Sequence, residues 1–140
     1  MINAVEIDDL SAVHEGSLLD RVSRGSSDRT REFLIRRDDL VVGLLIYERD
    51  ASPYDFIYEI FVLDGFRRQG IGTWILSYAE QIATSLDMDG IRLKARSLYQ
   101  DELNDADLTS WYKKKGYVQS ALGDEFLEKR FTRRSFSCSI

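Results

Sequence analysis

The sequence predicts a mixed α/β (α+β) fold in which helices pack on a sheet, and three observations support this prediction. Runs rich in β-branched and aromatic residues, bounded by Asp, Gly and Pro, fill residues 30–63. An amphipathic helical stripe follows them in residues 71–86. Strand and helix patterns then alternate as far as residue 132. Helices interleaved with strands in this way cover the faces of a sheet.

The first half of the chain predicts an irregular start followed by three strands. We expect one or two short helices between Asp8 and Leu19, and we expect Gly16 to Asp28, with its Gly-Ser-Ser turn signal, to be the least regular stretch. The runs "TREFLIRR" and "LVVGLLIYER" form a hairpin that turns at Asp38-Asp39. The third strand, "YDFIYEIFVL", follows the break at Ser52-Pro53 and stops at Asp64-Gly65.

The second half predicts two helices and three strands. The longer helix is expected to end at Asp89-Gly90, and "IRLKARS" then alternates like a half-buried strand. A shorter helix starts near Asn104 or Asp105 and ends before Gly116, after a lysine-rich last turn. The strands "GYVQS" and "EFLEKRFT" follow, joined around Gly123-Asp124. The apolar stripe of the longer helix consists of Ile71, Trp74, Ile75, Tyr78, Ile82 and Leu86.

Composition and charge exclude several classes of function. A length of 140 residues fits one domain over residues 1–140, and a content of 44% hydrophobic and 31% charged residues is typical of a soluble protein. We expect a cytoplasmic protein that does not bind membranes, because no apolar run approaches the ~20 residues that span a bilayer and the N-terminus lacks a secretory pattern. The net charge of −5 argues against direct nucleic-acid binding. The single cysteine, Cys138, excludes an internal disulfide.

The segment "VLDGFRRQGIGTWIL", between the third strand and the longer helix, has the composition of an anion-binding loop. The first backbone N–H groups of a helix have no intrahelical partner and carry the positive end of the dipole. Gly70 and Gly72 would let an anion approach them, and Arg67 and Arg68 add positive charge. The alternative is a plain strand–helix connection whose glycines only relieve crowding. The dinucleotide fingerprint needs a further glycine after Gly72, the P-loop needs Gly-Lys-Ser or Gly-Lys-Thr, and the segment has neither.

This segment resembles the pyrophosphate-binding motif of the GNAT superfamily of acyl-CoA-dependent N-acyltransferases. The motif is Arg or Gln, two residues, Gly, one residue, then Gly or Ala, and it is met by Arg67, Gly70 and Gly72. Val62 and Phe66 match a valine and an aromatic residue that are usual on its flank.

A second stretch, "WYKKKGYV", resembles a further GNAT segment through Tyr112, Gly116 and Tyr117. By the order of its elements the resemblance extends from Arg31 to Thr132. It implies a twisted, mostly antiparallel sheet of six to seven strands flanked by about four helices, with strands four and five splayed apart. It also implies acetyl-CoA as co-substrate, with the pantetheine arm between those two strands.

The resemblance also implies roles for individual residues. The main chain of Val62 would bind pantetheine, its N–H would polarise the thioester carbonyl, and the amides from Arg68 to Thr73 would hold the pyrophosphate. Asn104 matches, loosely, an asparagine often found in the link after the fifth strand. The implied cofactor-binding residues are therefore Val62, Arg67, Arg68, Gln69, Gly70, Ile71, Gly72, Thr73 and Asn104.

Two catalytic residues follow from the same resemblance. Tyr112 would protonate the departing thiolate, since a phenol with a pKa near ~10 is protonated at neutral pH. Glu59 would accept the proton of the amine, often through water. The alternative for Tyr112 is an aromatic residue that fills core space, and for Glu59 a solvent-facing strand carboxylate. Tyr54 and Tyr58 could shape the acceptor pocket.

Other chemistry-bearing residues have weaker patterns. We expect a surface role for His14, no nucleophilic role for Cys138, and a solvated helix end at Lys113 to Lys115, one of which could meet the ribose phosphate of CoA. No cluster has metal-ligand spacing. The link "SLYQDELNDADLTS" is longer and more acidic than is usual in the family.

Three functions remain open from the sequence. The first is an N-acetyltransferase in which a primary amine attacks acetyl-CoA directly in a ternary complex. The second is a non-catalytic acyl-CoA-binding sensor or interaction module, and the third is another nucleotide-binding α/β domain. The sequence does not identify the acceptor, and it leaves a homodimer open.

Overall fold

The computed structural model describes residues 1–123 and 125–132, so the predicted turn residue Asp124 and the cysteine Cys138 lie outside the described residues. This part of the chain forms seven strands, three α-helices and a short 3₁₀ helix at Leu10–Ala12. The strands are β1 (Ile2–Ile7), β2 (Thr30–Arg37), β3 (Leu40–Glu48), β4 (Tyr54–Val62), β5 (Gly90–Lys94), β6 (Val118–Gln119) and β7 (Phe126–Arg130). The α-helices are α1 (Gly16–Gly25), α2 (Ile71–Ser85) and α3 (Asp105–Lys114).

The strands form one sheet in the order β1-β2-β3-β4-β5-β7-β6. Neighbouring strands are antiparallel except β4 and β5, which are parallel and are connected through α2. The predicted mixed fold with a mostly antiparallel sheet is confirmed.

The N-terminal part has short helical segments between Asp8 and Leu19, as predicted, but it differs from the prediction beyond them. Residues 16–25, expected to be irregular, form α1, because the Glu15 carboxylate caps the helix by accepting from the Leu18 N–H at 2.9 Å. Leu18 and Val22 of α1 are then buried against the sheet. The strand β1 was not predicted, since its partner β2 lies more than twenty residues away and local pattern cannot reveal such a pairing.

The two faces of the sheet carry separate cores. One core lies between the sheet and helices α2 and α3, and it includes Tyr47, Ile57, Ile75, Leu93 and Tyr112. The other lies beneath α1 and the 3₁₀ helix, and it includes Leu18, Val22, Leu44, Ile46 and Phe61. Each functional side chain on β4 therefore faces one of two environments.

A bulge in β4 decides which side chains face α1. Ile46 of β3 lies opposite Glu59 and Tyr47 lies opposite Ile57, so Tyr58 is the extra residue. A bulge bends its strand and breaks the strict alternation of side chains. As a result Glu59 shares the Ile46 side of the sheet, whereas Ile57 belongs to the core beneath α2.

The strands β4 and β5 separate at this bulge. They pair only through residues 54–57 and 90–93, although β4 continues to Val62. The remaining length of β4 therefore borders a gap on its β5 side. This is the splay between the fourth and fifth strands that the resemblance implied.

Candidate active site

A cavity of about 1110 Å³ opens where β4 and β5 part, and we call it the cleft. Its walls come from β4, from the loop that leads into α2, from the link between β5 and α3, and from α3. The predicted site residues that line it are Glu59, Val62, Arg67, Arg68, Gly70, Gly72, Thr73 and Tyr112. Most of the predicted site is thus brought together around one cavity.

At one end of the cleft the N-terminus of α2 is uncapped. Gly70 occupies the N-cap position with φ 82°, a left-handed conformation that favours glycine, and no side chain bonds to this end of the helix. Gly72 lies in the first turn. A Cβ added to either glycine would contact nothing within 4 Å, so packing does not require their missing side chains. These open amides fit a pyrophosphate group.

Arg67 lies at the mouth of the gap and braces the end of β4. Its Nε donates to the Val62 carbonyl at 2.9 Å, and its Nη1 donates to the Glu102 carboxylate at 2.5 Å. Its guanidinium lies 3.7 Å from the centroid of the Tyr99 ring. Arg67, one of the implied cofactor-binding residues, is therefore held in place by β4 and by the link between β5 and α3.

The other predicted loop residues take different positions. Arg68 is exposed at the edge of the cleft with φ 63°. The Gln69 side chain bonds to the Gly65 carbonyl at 3.1 Å and to Arg37 at 2.6 Å, and Ile71 is buried in the core.

Asn104 is a helix cap rather than a residue lining the cleft. Its Oδ1 accepts from the Asp107 N–H at 2.8 Å and begins α3 at the position that the sequence predicted.

The backbone of Val62 is engaged by side chains on both sides. Its N–H donates to the Tyr99 hydroxyl at 3.3 Å, and its carbonyl accepts from Arg67. Sequence reasoning missed Tyr99. The available signal was an aromatic residue in the unusually long, polar link that precedes α3.

Tyr112 projects from α3 into the core and borders the cleft. It is 7% exposed and packs edge-on against Trp111 and Tyr117, with ring centroids 5.0 and 5.6 Å away. Burial raises the pKa of its hydroxyl above the usual value, so the group stays protonated at neutral pH. This position is compatible with both interpretations of Tyr112, as an aromatic residue that fills core space and as a proton donor.

Glu59 lies on the α1 side of the cleft. Its side chain is 11% exposed and one oxygen lies 3.3 Å from Nη1 of Arg21, an α1 residue. Burial raises the pKa of Glu59, and Arg21 partly offsets that effect. The carboxylate is therefore a half-desolvated group held in place by one cation.

The far end of the cleft is aromatic. Phe56, Leu122 and Phe126 line it together with Tyr58, which is 48% exposed. Tyr54, which the sequence grouped with Tyr58, lies outside the cleft under the Arg92 guanidinium.

Within residues 1–123 and 125–132, no group of three or more His, Cys, Asp or Glu side chains could hold a metal ion. None of the helices in the same residues has the length and apolarity needed to cross a membrane.

Comparisons with known proteins agree with this geometry. A family model described as an acetyltransferase (GNAT) domain matches residues 28–119, more than half of the chain. No curated protein matches the sequence.

Solved structures of low sequence identity share the fold. An acetyltransferase from Bacillus subtilis in complex with CoA has a TM-score of 0.69 and 16% identity, over 94% of this chain and 100% of that one. The ribosomal-protein-S18-alanine N-acetyltransferase from Escherichia coli has a TM-score of 0.68 and 13% identity, over 96% of this chain and 97% of that one. A Bacillus anthracis acetyltransferase in complex with acetyl coenzyme A has a TM-score of 0.61 and 18% identity, over 76% of this chain and 65% of that one.

Proposed function

Because the chain belongs to the GNAT family of acetyltransferases, we propose that it transfers the acetyl group of acetyl-CoA to a primary amine by direct attack in a ternary complex. The observation that carries the proposal is the gap between β4 and β5, which has an uncapped helix N-terminus at one end and a half-buried carboxylate, Glu59, beside it. The acceptor is an amine whose identity is open.

The donor half of the proposal rests on the open glycines. The N–H groups of the first turn of α2 would bind the pyrophosphate, with Arg68 adding positive charge at the rim. The gap beside β4 has the length and position to accept an extended arm, because β4 runs on from Ile57 to Val62 without β5.

The chemical half of the proposal uses two proton carriers. The thioester supplies an activated carbonyl carbon and a thiolate leaving group. Glu59 takes a proton from the amine nitrogen, directly or through one water, while that nitrogen bonds to the carbonyl carbon. Tyr112 gives its proton to the sulfur as the carbon–sulfur bond breaks, and it regains a proton from solvent. The products are an amide and free CoA.

The experiment that tests this function measures free CoA released from acetyl-CoA in the presence of a panel of amines. The panel includes a peptide N-terminus, a lysine side-chain analogue, a polyamine and an aminoglycoside. Release with one or more of them supports the proposal. Binding of acetyl-CoA without release for any amine would instead favour the non-catalytic acyl-CoA-binding module.

We expect Tyr112→Phe to lower kcat about 100-fold or more, because the thiolate would leave without a general acid. Its affinity for acetyl-CoA, measured by calorimetry, should stay unchanged. Tyr78→Phe is the matched control, since it removes a hydroxyl that does not line the cleft. An unchanged kcat for Tyr112→Phe would remove this residue from the mechanism.

A further inference from the structure

Tyr99 lies in the link between β5 and α3, and its side chain reaches the end of β4 at Val62. Its hydroxyl accepts a hydrogen bond from the Val62 N–H at 3.3 Å, and the residue lines the cleft. The family resemblance implied that this same N–H would polarise the thioester carbonyl. In the structure this N–H is hydrogen-bonded to the Tyr99 hydroxyl instead.

Two neighbouring side chains, Arg67 and Phe61, pack against the Tyr99 ring. The Arg67 guanidinium lies 3.7 Å from its centroid, and the Phe61 ring packs against it with centroids 5.8 Å apart. Arg67 is itself anchored by Val62 and Glu102. A ring held in this way is a preorganised group rather than a flexible cover.

The main chain of Tyr99 is fixed as well. Its N–H donates to the Ser97 hydroxyl at 3.2 Å, and its carbonyl accepts from the N–H groups of Glu102 and Leu103 at 2.9 and 3.0 Å. The link therefore forms a tight turn around Tyr99. Moving this side chain out of the cleft would break the turn or the stacking with Arg67.

The chemistry of the hydroxyl follows from its role as acceptor. It takes the Val62 hydrogen bond on oxygen, and it donates its own proton to no acceptor among the described residues. A hydroxyl that accepts one hydrogen bond becomes a stronger donor in the next. Burial raises the pKa of Tyr99, so the O–H stays protonated at neutral pH.

The charged groups around the Tyr99 oxygen form ion pairs with one another. Arg21 pairs with Glu59 at 3.3 Å, and Arg67 pairs with Glu102. Neither guanidinium is therefore an unpaired positive charge, and the Tyr99 O–H is a neutral donor that lines this part of the cleft. A fixed donor would stabilise negative charge that develops on a carbonyl oxygen during amine attack.

We propose that Tyr99 is a catalytic residue whose hydroxyl donates a hydrogen bond to the thioester carbonyl oxygen. The Val62 N–H donates to the oxygen of this hydroxyl and so polarises the hydroxyl. The inference rests on the proposed function. Tyr99 transfers no proton in this role. Its hydrogen bond to the carbonyl oxygen strengthens as the carbon–oxygen bond loses double-bond character and negative charge develops on the oxygen.

The test compares wild type, Tyr99→Phe and the control Tyr78→Phe in two measurements. The first is the carbonyl stretching frequency of bound acetyl-CoA carrying ¹³C at the carbonyl carbon, recorded without amine. We expect binding to wild type and to Tyr78→Phe to lower the frequency relative to free acetyl-CoA, and we expect Tyr99→Phe to restore it. The second is kcat, which should fall about 100-fold for Tyr99→Phe, as for loss of one oxyanion donor.

The affinity for acetyl-CoA distinguishes this role from others. We expect the Kd of Tyr99→Phe to match wild type. Tighter binding with an undiminished kcat would mean that Tyr99 merely blocks the cleft, and it would overturn the inference. An unshifted carbonyl frequency in wild type would overturn it too. If wild type neither binds acetyl-CoA nor releases CoA, the proposed function itself fails, which is a different result.

Discussion

At Glu59 two physical effects act in opposite directions on one carboxyl group. Burial disfavours the carboxylate and raises its pKa, whereas the nearby Arg21 guanidinium favours the carboxylate. The net direction is upward from the ordinary value of 4.5. A carboxylate with a raised pKa is a better proton acceptor, so the environment suits the role of general base.

We expect kcat/KM to fall as the pH drops through the pKa of Glu59, because the base must be ionised. Arg21→Gln should move this acidic limb to higher pH, since it removes the group that lowers the pKa. Glu59→Gln should abolish the limb and lower kcat/KM about 100-fold. A pH profile of kcat/KM checks this.

Arg24→Gln is the control, because Arg24 lies on the same helix and pairs with Asp20 at the surface. Its profile should match wild type. If Arg21→Gln left the limb in place, Glu59 would not be the titrating base.

Individual site residues could be predicted from sequence only where a motif fixes their position. Gly70 and Gly72 were identified by spacing, and the structure places them at the open end of α2. Asn104 has a different place, because an asparagine before a helix also satisfies the capping rule. Tyr99 belongs to no motif, and its role depends on a contact with a residue 37 positions earlier.

Among the elements, β4 carries Glu59 and Val62 and depends on the hairpin that begins it. Asp55 is fully buried and accepts from the Tyr47 hydroxyl at 2.8 Å and from the Asp50 N–H at 3.0 Å. It also pairs with Arg49 at 2.9 Å. This network ties the end of β3 to the start of β4 and so helps to set the register that leads to the bulge.

We expect Asp55→Ala to lower the free energy of unfolding by about 2–4 kcal/mol, because the buried Tyr47 hydroxyl loses its acceptor. Urea denaturation measures the change. Asp20→Ala, which removes an exposed pair with Arg24, should cost less than about 1 kcal/mol. A similarly small cost for Asp55→Ala would show that the network does not stabilise the hairpin.

The elements differ in how far local sequence determines them. The strands of residues 30–62 and the helices α2 and α3 follow from periodicity and turn residues, and they were predicted. The sequence predicted that α2 ends at Asp89-Gly90, which is too late. The helix stops at Ser85, and a turn through Asp87, at φ 60°, leads to β5. The bulge at Tyr58 has no sequence signal, because register is set by the neighbouring strand.

For the molecule as a whole, the cleft is assembled from distant segments. The end of β4, the start of α2, the link around Tyr99 and α3 are separated along the chain and all line this one cavity. A parallel pair that separates partway provides the space, and an antiparallel ladder on either side keeps the sheet intact. The part of the cleft lined by Tyr58 and Phe126 is the part that no motif described.

The most direct test of the account is a calorimetric titration of acetyl-CoA into wild type, Gly72→Leu and the control Gly16→Leu. Each glycine lies in the first turn of a helix with open space around its missing Cβ, so neither substitution should harm the fold. Only Gly72 borders the cleft.

We expect wild type and Gly16→Leu to bind one acetyl-CoA with the same Kd, below about 1 mM. Gly72→Leu should bind at least about tenfold more weakly at undiminished thermal stability, since its side chain would fill the pyrophosphate site. Absence of binding to wild type at millimolar acetyl-CoA, or equal affinity for Gly72→Leu, would contradict the account.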